Sequence, residues 1–233
     1  MYHRLRRAWN EELPEYRRMG AGHTHANTDR LGLLASESGQ AALLIVDVQR
    51  DFCAAGALEV PGGDRVVDPL NRLASAFTEA RRPVYASRDW HPTESTHFTV
   101  HGGRWPVHCV ANTPGAHFHD DLRLPKNAVI ISKGNSPSDD GYSAFDGRTP
   151  SGISFEQDLR QRRVTHLWVG GLATDYCVRQ SVLDAVRAGF DVSVVSDAIA
   201  GVDVADGDSA RALDEMRAAG ASLTTASALA NRC

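Results

Sequence analysis

The sequence predicts an α/β fold: a three-layer, Rossmann-like parallel sheet of about six strands flanked by helices. Three observations predict it. Short apolar runs rich in branched residues, such as AALLIVDV at Ala41–Val48, suit strands buried on both faces. They alternate with segments of helical spacing, which implies βαβ units with right-handed crossovers. No linker or internal repeat divides residues 41–225, and 233 residues suffice for one large domain.

Residues 1–40 differ in texture from the rest. They are rich in Arg, Gly, Ser and Glu and hold no sustained strand pattern. Leu5, Trp9 and Leu13 have the i, i+4 spacing of a short helix ending before Pro14. Glu11, Glu12 and Glu15 argue against a transit peptide, and no apolar core marks a secretory signal. The segment reads as a partly disordered N-terminal extension, with Met19 as an alternative start. It is a candidate for contacts in a homo-oligomer. The domain proper is expected over 41–233.

The first strand, Ala41–Val48, carries Asp47 at its end. A helix follows over Val66–Ala80, with Val67, Leu70, Leu73 and Phe77 on one side. Pro83–Ser87 is a second strand, and Asp89 lies just beyond it. His91 to Asn127 is irregular and rich in His, Pro, Gly and Trp; loops this long are usually functional. Ala128–Ser132 is a third strand, followed by Lys133, and Phe155–Arg163 a helix. A fourth strand, Val164–Val169, is expected to stop at Gly170–Gly171. A helix over Tyr176–Ala188 comes next, then a strand at Val192–Val195. The pattern closes with a helix at Ser209–Ala219 and a short strand at Ala221–Thr225.

Composition narrows the function. With a net charge of −4, nothing suggests a nucleic-acid or anionic-membrane partner, and none is expected. No apolar run approaches the roughly 18 residues that span a bilayer. Cys53, Cys109, Cys177 and Cys233 are far apart, which is not a disulfide framework and suggests a reduced, cytoplasmic setting.

One regularity carries the chemistry. Asp47, Asp89, Lys133 and Cys177 each fall at or just after the end of an expected strand, the edge where open α/β sheets bind ligands. An acid, a cation and a thiol in one crevice form a catalytic set. Alone, Asp47 reads as a cap, Lys133 as a solvated loop residue and Cys177 as core. The turn from a strand through Gly-Gly into a helix places Cys177 at a helix N-terminus, where a thiol is expected to lose its proton more easily.

The long loop adds a metal reading. Asp89, His91, His97 and His108 offer a carboxylate and imidazoles, a donor set suited to one divalent ion such as Zn²⁺, Fe²⁺ or Mn²⁺. Asp89 and His91 point the same way in an extended segment. His108 closes the set, and His97 is either a fourth ligand or a neighbour. His101, His117, His119 and His166 read as surface residues, and Cys109 as packed.

These residues also resemble a known family. DVQRDFC (Asp47–Cys53), GGD (Gly62–Asp64), DWH (Asp89–His91), WPVHCV (Trp105–Val110), the stretch from Lys133 to Phe145 with YSAF, and GLATDYCV (Gly171–Val178) are similar to nicotinamidases, within the isochorismatase-like cysteine hydrolases. The resemblance covers about residues 41–225. It implies conversion of nicotinamide to nicotinic acid and ammonia in NAD salvage, through a thioester on Cys177. It implies Asp47 as proton acceptor and donor, Lys133 in charge balance, and N–H groups of Ala173 and Cys177 as the oxyanion hole. It further implies a cis Leu172–Ala173 peptide, a metal on the pyridine nitrogen, and a ring held by Phe52, Trp105 and Tyr142. A related amidohydrolase acting on a carbamoyl or ureido substrate would share Asp47, Lys133 and Cys177 without the metal loop. A flavodoxin-like binding protein would have no use for Cys177.

Overall fold

The computed structural model describes residues 39–230. Residues 1–38, which carry the extension's expected helix and oligomer contacts, lie outside the described residues, and Gln40 already belongs to the first strand. Among the described residues, six parallel strands form one sheet in the order β3-β2-β1-β4-β5-β6. They are β1 Gln40–Val46, β2 Val84–Asp89, β3 Val129–Lys133, β4 Val164–Leu172, β5 Asp191–Ala200 and β6 Ser222–Thr224. Helices α1 (Val67–Glu79) and α5 (Ala226–Ala230) pack on one face. Helices α2 (Phe155–Gln161), α3 (Arg179–Arg187) and α4 (Asp208–Ala219) pack on the other. The three-layer expectation is met.

The alternation of each strand between two buried faces produces this sandwich. Leu44 and Val46 join Phe155, Leu159, Val178, Val182 and Met216 in the core on the α2–α4 side. Leu43 and Ile45 point to the opposite face, and both are fully buried. This explains why β1 shows no polar alternation: each face is covered by helices. Burying a side chain such as Leu44 contributes about 2 kcal/mol.

The chain builds outward from β1 in two directions. β2 and β3 add on one side, then β4, β5 and β6 on the other. The reversal falls between β1 and β4, so a crevice opens above their C-terminal ends. Asp47 follows β1, and Cys177 follows β4.

Several boundaries differ from expectation. β4 does not stop at Gly-Gly but continues to Leu172, pairing Gly170 with Ile45 and Gly171 with Val46. The glycines permit close approach, not termination. A Cβ on Gly171, where φ is +125°, would lie 2.1 Å from the Val46 carbonyl oxygen. The helix expected from Tyr176 is divided: Thr174–Val178 is a π-turn, and the α-helix begins at Arg179. β5 runs five residues beyond Val195, to Ala200. Helix α5 was not expected, because it is five residues long and its sequence ASALA is too short to show a helical period.

Candidate active site

The sheet register sets the first half of the site. Asp89 and Lys133 are Cα partners on the parallel strands β2 and β3. Their side chains meet in an ion pair, and Lys133 Nζ also donates to the Gly141 carbonyl oxygen. The same ammonium lies 2.7 Å from Asp47 Oδ2 and 3.6 Å from Cys177 Sγ. Ser87 Oγ donates to Asp47 Oδ1 at 2.7 Å. Asp47 has φ 48°, a left-handed conformation that Asp tolerates better than most residues. The structure thus brings Asp47, Lys133 and Cys177 together, with Asp89 beside them. Lys133 and Asp47 are both fully buried.

Burial and charge decide the protonation states. Burial alone would strip the proton from Lys133, but the carboxylates of Asp47 and Asp89 outweigh it and push its pKa well up. Burial likewise opposes the charge on Asp89, yet the ammonium holds its carboxyl well below the usual range. Asp47 goes the other way: burial raises it to about 6 against the pull of Lys133. Burial also pushes the Cys177 thiol well up; Lys133 opposes this, while Asp47 and Asp89 add to it. The expectation of a readily ionised thiol at a helix N-terminus is therefore corrected. With two carboxylates already facing one ammonium, a further resting anion is unfavourable. The thiol keeps its proton until a neighbour takes it.

The second half of the site stands on the loop after β2. His91, His97 and His108 offer ligating atoms within 4.8 Å of one another, and all three are buried. His108 Nδ1 faces the Pro106 carbonyl oxygen at 2.7 Å, and His97 Nδ1 faces Asp140 Oδ1 at 3.0 Å. His91 has no hydrogen-bond partner at either ring nitrogen. Its Nε2 lies 3.8 Å from Asp89 Oδ2, too far for a hydrogen bond. A fully buried imidazole with both nitrogens unpaired is costly unless something else binds it. Burial lowers the pKa of His108 to about 4, and that of His97 also falls. Neutral imidazoles around an orphaned ring fit a divalent cation. Gly134 makes room here: with φ +68°, a Cβ on it would lie 2.4 Å from His91 Cε1.

Two other groups resemble metal sites but are not. The ligating atoms of Asp47, Asp89 and Cys177 also cluster, but the Lys133 ammonium is already the cation among them. Cys53, Asp64 and His119 cluster near the turn of Phe52. There the Asp121 backbone N–H donates to His119 Nδ1, so the ring proton sits on Nε2, 3.0 Å from Asp64 Oδ1. That imidazole is satisfied by hydrogen bonds and has no lone pair for an ion. His101 is exposed beside the Thr93 carbonyl oxygen. His166 meets Ser193 Oγ and stacks on Trp168.

A cleft of about 420 Å³, measured out to its open mouth, joins the halves. Phe52, Trp105, Tyr142, Ala173 and Cys177 line it, together with His97, His108 and Asp89. Trp105 Nε1 donates to the Tyr142 hydroxyl at 3.0 Å. The Leu172–Ala173 peptide is cis. Sequence reasoning missed Tyr176, whose ring packs edge-on against Trp105 at 5.3 Å. It also missed Gln49, whose buried amide donates to the Asp89 carbonyl oxygen and accepts from the Asp89 N–H, both at 2.8 Å. The position of Gln49, just beyond Asp47 on the same apolar run, was the available signal.

Comparison with known proteins places the chain in a family. The isochorismatase domain model matches residues 41–228. The nicotinamidase of Escherichia coli is 44% identical over 200 residues, covering 79% of this chain and 94% of that one. The nicotinamidase/pyrazinamidase of Mycobacterium tuberculosis is 40% identical over 189 residues, covering 80% and 99%. The pyrazinamidase of Pyrococcus horikoshii, solved in complex with zinc, superposes with a TM-score of 0.73 at 42% identity, covering 79% of this chain and 98% of that one. With a family match over most of its length and relatives this similar, the chain belongs to the isochorismatase family.

Proposed function

We infer that this protein is a nicotinamidase: it hydrolyses the carboxamide of nicotinamide to give nicotinic acid and ammonia, a reaction of NAD salvage. The nicotinamidase relatives support the activity. The observation that carries the reading in this chain is the pairing of a Cys177–Asp47–Lys133 cluster with an orphaned, buried histidine site in one cleft. An amidohydrolase of the same fold for carbamoyl or ureido compounds has no use for those imidazoles.

The residues have distinct roles. Asp47, as carboxylate, takes the Cys177 proton as Sγ attacks the carboxamide carbon. This transfer keeps the total charge around Lys133 constant, which is why burial does not forbid it. The carbonyl oxygen gains negative charge and is received by the N–H groups of Ala173 and Cys177. Asp47 then returns the proton to the amide nitrogen, the C–N bond breaks and ammonia leaves. Water attacks the thioester as Asp47 takes its proton, and the proton returns to Sγ as nicotinic acid is released. Lys133 holds Asp47 in place throughout. Phe52, Trp105 and Tyr142 hold the flat ring. Asp89, His91, His97 and His108 would hold one divalent cation, Zn²⁺, Fe²⁺ or Mn²⁺, which when bound accepts the ring nitrogen and fixes the ring's position.

We also read residues 1–40 as an extension separate from a catalytic domain at 41–233, which the start of the family match at residue 41 supports. The cytoplasm is the proposed compartment, supported by the free thiols of Cys53, Cys109 and Cys177. Among the described residues no helix is long and apolar enough to cross a membrane. The test of the main reading is ammonia release from nicotinamide by the purified chain, before and after chelation. No release by the metal-loaded chain, before chelation, would overturn it.

A further inference from the structure

The three imidazoles of the histidine site are held in three different ways. His91 is fixed by backbone pairing, its N–H donating to the Cys109 carbonyl oxygen and its own carbonyl accepting from Ala111. His108 uses Nδ1 on a neutral carbonyl of its own loop, that of Pro106. His97 alone has a carboxylate behind it, Asp140 Oδ1, 3.0 Å from its Nδ1. Asp140 comes from a separate part of the chain, the segment after β3. Its side chain is 65% exposed while that of His97 is 6% exposed. The contact is therefore built at the mouth of the cleft and points inward.

The surrounding backbone makes the contact specific. Thr96 donates through both its N–H and its Oγ1 to the Pro137 carbonyl oxygen, at 2.7 and 2.8 Å. This ties the residue before His97 to the segment that carries Asp140. Asp139 Oδ1 accepts from the Gly141 N–H at 2.9 Å, shaping the turn around Asp140. A carboxylate acceptor places the ring proton of His97 on Nδ1. Nε2 is then the nitrogen left with a lone pair, the one able to share an ion with His91 and His108. A carboxylate behind a ligating imidazole also raises its basicity.

We propose that Asp140 is a positioning residue of the metal site: it fixes the tautomer and orientation of His97 and so turns Nε2 toward the ion. The inference rests on the metal reading above. It also separates two roles for His97, ligand or neighbour, that its spacing in the sequence leaves open.

The test is zinc affinity, measured by competition with a chromophoric chelator on the full chain. Four proteins are compared: wild type, Asp140→Ala, His97→Ala and the double variant. Asp140→Ala should bind zinc about 10–100-fold more weakly than wild type. The double variant should bind no more weakly than His97→Ala, because Asp140 acts through that ring. Cys177 should be alkylated by iodoacetamide at the wild-type rate in all four, showing that the sheet and the thiol are intact. Undiminished zinc affinity in Asp140→Ala overturns the proposal. So does a loss from Asp140→Ala that persists in the His97→Ala background, which would mark Asp140 as a general negative charge. A wild-type chain that binds no zinc removes the metal reading itself, and the proposal with it.

Discussion

The two halves of the cleft are built by different means. Asp47, Lys133 and Cys177 stand at strand ends, where sheet register fixes every neighbour at once. Asp89 faces Lys133 because β2 pairs with β3 residue by residue. His97, Trp105 and His108 stand on a loop with little regular structure, held by individual hydrogen bonds. Trp105 exchanges backbone bonds with His97 and Thr99, and the Cys109 N–H donates to Asp51 Oδ2 at 2.7 Å. Cys109 there has φ 44°, a strained conformation for a non-glycine residue. Bond-breaking groups sit on the rigid part, and groups that recognise the ring sit on the part that can be rebuilt without disturbing the sheet. The comparison teaches that the halves should fail separately.

The sharpest break is Cys177→Ala. It should lower ammonia release by roughly 10⁴-fold or more, while elemental analysis still finds stoichiometric metal. Loss of both together would mean the halves are not independent. Asp47→Asn comes next, with a loss of about 10²–10⁴-fold and slower alkylation of Cys177. The pH profile sharpens this. Asp47 must be a carboxylate to accept the thiol proton, and its pKa is raised to about 6. Wild-type kcat/KM should therefore fall as pH drops through about 6, and the residual rate of Asp47→Asn should lack that acid limb.

His91→Ala and His108→Ala attack the other half. Each should lose bound metal and raise KM for nicotinamide, while iodoacetamide still reacts with Cys177 at the wild-type rate. Metal retained in both would place the ion elsewhere. His101→Ala and His119→Ala should keep it, since neither ring joins the cluster. The smallest effect belongs to Trp105→Phe, which removes the hydrogen bond to Tyr142 but keeps an aromatic wall. A loss of about 1 kcal/mol in ring binding should appear in KM with kcat little changed.

The strand-end half was legible because its signal is local. An apolar run that ends in Asp, Lys or a glycine pair announces both a strand and its edge. Even the boundary error at Gly170–Gly171 did not move Cys177 from the crevice. The protonation of Cys177 was not legible, since it depends on two carboxylates from distant strands and on complete burial. On the loop, the spacing of Asp89, His91 and His108 announced a donor set. The role of His97 did not emerge, because Asp140, which orients it, is 43 residues away in sequence. Asp51 was invisible for the same reason, and Gln49 was marked only by its place just after Asp47: each braces backbone that only the fold brings near.

Asp89 belongs to both halves, with one oxygen on Lys133 and the other turned toward His91. One anion thus faces two cation positions, and linkage makes their claims on it reciprocal. If an ion among the imidazoles weakens the hold of Lys133 on Asp89, Lys133 weakens that ion's binding by the same coupling free energy. Gln49 fixes the Asp89 backbone from which that carboxylate reaches both positions. Asp89 is then a residue whose own loss should reach both the site that orients the ring and the site that cuts the amide.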